Sequence, residues 1–239
     1  MIGNSLRKGI WLAFGLSVAL AGRASSGDMK YETVFETDFS GNLDAWRVEQ
    51  QEGGSVAIKE GKLVIADKKG CTVWYDRELE GPVRISYTVT VSSVERVSDM
   101  NCFWMARDPD HESDLFAEGH GREGAFAQYD DLSLYYVGYG GNHNSTTRFR
   151  RYLGKGVKPL LEGYDLRDEA HLLKADHAYR IELVADESGA RYFRDGELIF
   201  EYADPEPLLR GWFGFRTVWS HLEIDDFKVE RILKTEDES

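Results

Sequence analysis

Cysteine, proline, positive charge and helical periodicity are all scarce in this chain of 239 residues. Two cysteines, Cys71 and Cys102, cannot form the framework of a small disulfide-bonded domain, and no spacing of cysteine and histidine suggests zinc. In an oxidising compartment the two could pair, or they could be buried free thiols; both lie in apolar runs. There is no P-loop and no G-x-S-x-G elbow. Lys and Arg number 29 against 42 Asp and Glu, a formal net charge of −13. A field of that sign opposes nucleic acid and anionic lipid.

Long apolar runs are also missing, with one short exception. "GIWLAFGLSVALAG" follows Arg7 and Lys8 and is too short for a comfortable membrane span. Ala19 and Ala21 form an A-x-A pattern, and Ala24 offers a second cut, so residues 1–24 read as a signal peptide. The mature protein is therefore expected to be secreted or periplasmic, with no membrane attachment after cleavage. A cut after Ala21 removes Arg7 and Lys8, leaving −13 − 2 = −15.

What the chain does have is short alternating segments: "KLVIAD", "CTVWYD", "PVRISYTVTV", "NCFWMA", "SLYYVGYG", "TTRFRRY", "AYRIELVAD" and "GWFGFRT". Glycine, aspartate or asparagine punctuates most of them. Many short strands with frequent turn signals predict a single all-β domain over residues 30–232, a two-sheet antiparallel sandwich or jelly roll. "RDGEL", 194–198, predicts a tight hairpin. "LRDEAHLLKA", 166–175, is the one candidate helix, and residues 233–239 form a charged tail expected to be disordered.

Alternation also assigns faces. Phe149 belongs with Thr147 and Arg151, while Arg148, Arg150 and Tyr152 share the other side. Phe213 and Phe215 point one way, and Trp212 and Arg216 the other. With the phenylalanines in the core, two strands present arginine plus a flat ring on the opposite face. Rings stack on pyranose faces, and guanidinium forks match carboxylates bidentately.

"SDMNCFWMARDPD", "YYVGYGGNHNSTTRFRRY", "GWFGFRTVWSH" and "IDDFKV" resemble a family of secreted bacterial concanavalin A-like jelly-roll domains of uncharacterised function. These are similar to the YesU group, associated with use of pectic, rhamnogalacturonan-type polysaccharides. The resemblance implies a sandwich with a concave carbohydrate groove and a first strand beside the last. Asp38 and Asp226, on those strands, would then be candidates for a structural calcium; no other cofactor is suggested.

Three chemistries remain. Glu223, Asp225 and Asp226 begin an E-x-D-x-x-E pattern of glycosidases on this architecture, but position 228 is lysine. The run Asp108, Asp110, His111, Glu112 and Asp114 offers hard oxygen ligands to calcium without matching an EF-hand. Elimination from a uronic acid needs groups that neutralise the sugar carboxylate and others that move the C5 proton. Asn142, Asn144, Arg148, Arg150 and Arg216 are candidates for the first task, with Tyr152, Trp212 and Trp104 as stacking surfaces; Tyr136, His143 and His221 are candidates for the second. The expected partner is thus an anionic oligo- or polysaccharide, cleaved by a lyase; a binding module or a glycoside hydrolase of the same fold is the alternative.

Overall fold

A computed structural model describes residues 29–233. The predicted leader and the last six residues lie outside that range. Sixteen strands follow in chain order. The first five are β1 (Lys30–Thr37), β2 (Trp46–Gln50), β3 (Ser55–Lys59), β4 (Lys62–Ala66) and β5 (Cys71–Tyr75). Next come β6 (Leu79–Glu80), β7 (Val83–Val91), β8 (Met100–Arg107), β9 (Ser133–Gly140), β10 (Thr146–Leu153) and β11 (Asp165–Leu166). The last five are β12 (Ala178–Asp186), β13 (Gly189–Arg194), β14 (Glu197–Ala203), β15 (Arg210–Thr217) and β16 (His221–Leu233).

They form two antiparallel sheets. The first runs β14-β13-β12-β7-β16-β4-β3, with β1 also on β16; the second runs β11-β10-β9-β8-β15-β5-β2, with β6 on β15. The first strand does lie beside the last, from Lys30 opposite Leu233 to Thr37 opposite Phe227. The protein is an all-β jelly-roll sandwich. Asp195 and Gly196 both have positive φ, 53° and 81°, as a two-residue Asp-Gly hairpin requires.

Phe149, Phe213 and Phe215 are buried between the sheets, as alternation predicts, among Trp46, Tyr87 and Phe227. Trp104 joins them, fully buried against Tyr135 and Phe149. Cys71 and Cys102 are buried free thiols. They sit on β5 and β8, which flank β15, where Thr217 pairs with Cys71 and Phe215 with Cys102. Two strand spacings put their Cα atoms roughly 10 Å apart, beyond disulfide reach. Burial pushes the Cys102 thiol up to about 12.

A second apolar layer covers the outer face of the second sheet. The chain between β8 and β9 folds back over it, bringing Leu115, Tyr129 and Leu132 onto Trp74, Phe103 and Trp212. The expected helix at 166–175 does not form: only Glu169–His171 makes a 3-10 turn. Asn144 explains this. Its side chain accepts from Leu173 N (2.8 Å) and donates to Leu173 O (2.9 Å), occupying the two backbone groups that a helix would use.

Candidate functional site

Strand register lines up the outer face of the second sheet. One row of facing residues runs Glu49, Thr72, Arg216, Asn101, Gly138, Arg148, Asp165 from β2 to β11. The next row runs Trp74, Gly214, Phe103, Tyr136, Arg150. Where the two rows cross β8, β9 and β10, the covering segment stops and a pocket of about 410 Å³ opens.

Its floor is built by a glycine. A Cβ on Gly138 would sit 2.3 Å from the Tyr136 hydroxyl oxygen, so the Tyr136 ring lies along its own strand over the bare backbone. The hydroxyl thus rests between Asn101 on β8 and Arg148 on β10. The ring is wedged among Phe103, Phe126 and Tyr152, at centroid distances of 5.5–5.8 Å. Burial pushes the Tyr136 phenol well above its ordinary range; the neighbouring Tyr152 and Asp99 add to this, and Arg216 and Arg148 oppose it. At neutral pH it is a protonated hydroxyl. Asn101 is 4% exposed, and its Oδ1 has no hydrogen-bond partner among the described residues.

The cations stand at one side. Arg148 Nε donates to Asp165 Oδ1 (2.9 Å), which leaves the terminal nitrogens available. Burial raises the Asp165 pKa, but hydrogen bonds from Thr146, Arg167 and Arg148 and the charge of Arg148 outweigh it and hold the group at about 2. Arg150 donates to Lys158 O, and among the described residues it has no carboxylate ion-pair partner. Lys158, itself paired with Asp130, lies over the Phe126 and Tyr152 rings and closes the wall.

The opposite rim is made of strained loops. Gly141–Asn144 forms a turn in which Asn142, His143 and Asn144 have φ of 52°, 61° and 58°. Consecutive left-handed residues with side chains cost of order 1–2 kcal/mol each. Asp99 (φ 55°) and Trp219 (φ 60°) share this conformation on the two adjoining loops. Arg96 ties the three loops together: it donates to Asp99 Oδ2 (3.0 Å) and Val218 O (2.7 Å) and lies 3.5 Å from His143 Nδ1.

Of the residues expected from sequence, Tyr136, Asn142, His143, Arg148, Arg150 and Tyr152 come together here. The others do not. Arg216 is on the expected face and in the same row, but it is fully buried beneath Gly124–Tyr129. It donates to Thr72 Oγ1 (3.3 Å) and Gly124 O, and its guanidinium lies 5.3 Å from both the Phe126 and Tyr129 rings. Trp212 is capped edge-on by Phe116, and Trp104 faces the inter-sheet core. Asn144 is consumed by Leu173. His221 and Glu223 alternate with the core residues Leu222 and Ile224, so they project from the outer face of the first sheet, across the sandwich from the pocket.

The proposed calcium positions are used by the chain itself. Asp38 accepts from Ser40 N and Oγ, and the depression it shares with Asp226 also holds Arg180 and Lys228, whose charges disfavour a cation. Asp108 is bound by Arg122 (3.0 Å) and lies 3.2 Å from His111. Among the described residues no three His, Cys, Asp or Glu side chains converge as a metal site. Sequence reasoning missed Arg96, Asp99, Asn101, Phe126 and Lys158. Asn101 was within reach, since it alternates with Phe103 in "NCFWMA"; the others lie on loops without periodicity.

Residues 65–227 match the family described as "Domain of unknown function (DUF6250)". The chain belongs to that family. Among solved structures it is similar to a Bacillus subtilis protein of unknown function with a galectin-like fold (TM-score 0.69, 18% identity, covering 86% of this chain and 100% of that one). It is also similar to the carbohydrate-binding module CBM66 from Bacillus subtilis (TM-score 0.55, 10% identity, 79% and 97%). A third is an endo-β-1,3-glucanase from Pyrococcus furiosus (TM-score 0.55, 11% identity, 86% and 96%). No curated protein matches the chain in sequence. At these identities the likenesses establish the fold.

Proposed function

We propose that this protein, secreted or periplasmic, binds an acidic glycan, with the carboxylate of a uronic-acid unit held by Arg148 and Arg150. The observation that carries this reading is Arg150: a cation lining the pocket, without a carboxylate partner among the described residues, in a chain of net charge −13. Arg148 beside it keeps its terminal nitrogens available. Tyr136 and Asn101 add a donor and an acceptor suited to sugar hydroxyls. The fold is consistent with this, since carbohydrate-binding modules, carbohydrate recognition domains and a glucanase share it.

A second reading, cleavage by β-elimination, is favoured by Tyr136 and His143 lining the same pocket as the two arginines. A protonated phenol suits it as the acid that meets the leaving oxygen, which leaves His143 as the base. Hydrolysis by paired carboxylates is not served, because among the described residues Asp99 is the one carboxylate lining the pocket and it holds Arg96.

The test is titration calorimetry against a panel of uronate polysaccharides, pectic ones included, and their carboxyl-reduced counterparts. Losing one charge-assisted contact costs about 1.5–3 kcal/mol, so Arg150→Ala should weaken acidic ligands roughly ten- to a hundredfold and leave reduced ones unchanged. Arg150→Lys should recover part of the loss. Equal affinity of wild type and Arg150→Ala would refute the reading. Ultraviolet absorbance of unsaturated products, present in wild type and lost in His143→Ala, would establish elimination.

A further inference from the structure

Trp219 differs from the other tryptophans among the described residues. Trp46, Trp74, Trp104 and Trp212 are buried, whereas Trp219 is 53% exposed. Its φ of 60° is a conformation that bulky side chains rarely adopt. The surroundings enforce it. The carboxylate of Asp67, a residue with no exposed surface, accepts from Trp219 N (2.9 Å), and Asp67 N donates to Ser220 O (3.0 Å). Ser220 Oγ in turn donates to Ser98 O (2.7 Å).

The fold gains little from indole at this position: among the described residues its ring contact is the Arg96 guanidinium, at the outer limit of a cation–π pair and partly in solvent. Glycine would make the same turn without strain and without exposing an apolar ring. Backbone strain over-determined by its neighbours, carrying an exposed ring, argues for a partner outside the chain. The ring also adjoins the pocket. Val218, the preceding residue, lines it, and the Arg96 guanidinium stands between them, 5.9 Å from the indole centroid and within 3.5 Å of His143.

We propose that Trp219 is the stacking platform of a second subsite, receiving the pyranose next to the acidic unit held by Arg148 and Arg150. This rests on the acidic-glycan reading. An indole face covers the C–H face of a sugar regardless of its charge, so this subsite accepts neutral as well as acidic units. The ligand is then at least a disaccharide.

The experiment titrates the full chain with uronic acid monomers and with the corresponding trimers of galacturonate, glucuronate-containing and mannuronate types. Trp219→Ala should weaken the best-bound trimer about tenfold and leave the monomer unchanged, with Trp219→Phe recovering most of the loss. Trp219→Gly should lose the trimer equally while melting no lower than Trp219→Ala, which separates stacking from folding. In parallel, the trimer should protect wild type from acrylamide quenching more than it protects Trp219→Phe. Trimer affinity unchanged in Trp219→Ala, with Arg150→Ala losing both monomer and trimer, overturns the platform and leaves the acidic-glycan reading standing. An ineffective Arg150→Ala, or a wild type that binds no uronate, overturns both.

Discussion

A methyl group added at Gly138 would press on the Tyr136 hydroxyl oxygen from 2.3 Å. Gly138 does not have a left-handed φ, so alanine suits its backbone, and strand propensity even improves. The conflict falls on the ring, which is packed on three sides and can yield only toward the pocket. Gly138→Ala should therefore leave stability within about 1 kcal/mol of wild type by urea denaturation. Ligand affinity should fall about tenfold or more, at least as much as in Tyr136→Phe, which loses only a hydroxyl contact. A Gly138→Ala protein that binds normally would show that the pocket floor is not where the sugar rests.

The segment over the second sheet is where local and long-range forces are most clearly coupled. Arg216 reaches from β15 to Gly124 O, and Tyr129 Oη donates to Glu49 Oε2 (2.8 Å), which also accepts from Trp74 Nε1 (2.9 Å). A Cβ on Gly124 would meet Gly70 O at 2.6 Å, so the backbone itself is pressed onto the sheet. Arg216 thus acts on the pocket through the segment that carries Phe126. Arg216→Met should cost about 1–3 kcal/mol. Hydrogen exchange should accelerate at Gly124–Tyr129 while β12 to β14 stay protected. Uniform acceleration would mean that Arg216 stabilises the sheet rather than the segment. This element also marks the limit of what the sequence conveys. Strand faces are readable because period-two alternation is a local signal, and Arg148, Arg150 and Tyr152 lie on the face that it assigns. Alternation states which face a residue occupies, not what covers it. Arg216 and Trp212 were assigned the right face and the wrong exposure, because residues 108–132 carry no periodicity from which their docking could be inferred. His221 was misplaced for a related reason: β15 and β16 are consecutive in sequence but lie in different sheets.

At the scale of the whole molecule, the pocket's cations oppose the net charge of the chain that carries them. With 42 acidic residues against 29 basic ones, the far field repels a polyanion, while the contact field at Arg148 and Arg150 attracts it. Salt acts on these two fields at different ranges. The Debye length shrinks from about 30 Å at 0.01 M to about 8 Å at 0.15 M, so the repulsion is screened first and short partly buried contacts last. The association rate constant for an acidic oligosaccharide should therefore rise over that interval, and the dissociation rate constant should change little. A protein whose whole surface is basic shows the reverse, a steep decline of association with salt. Stopped-flow fluorescence at several ionic strengths measures both constants. Association that slows monotonically from the lowest salt would mean that the local cluster governs the approach as well as the contact, and that the acidic surface contributes nothing to selection of the ligand.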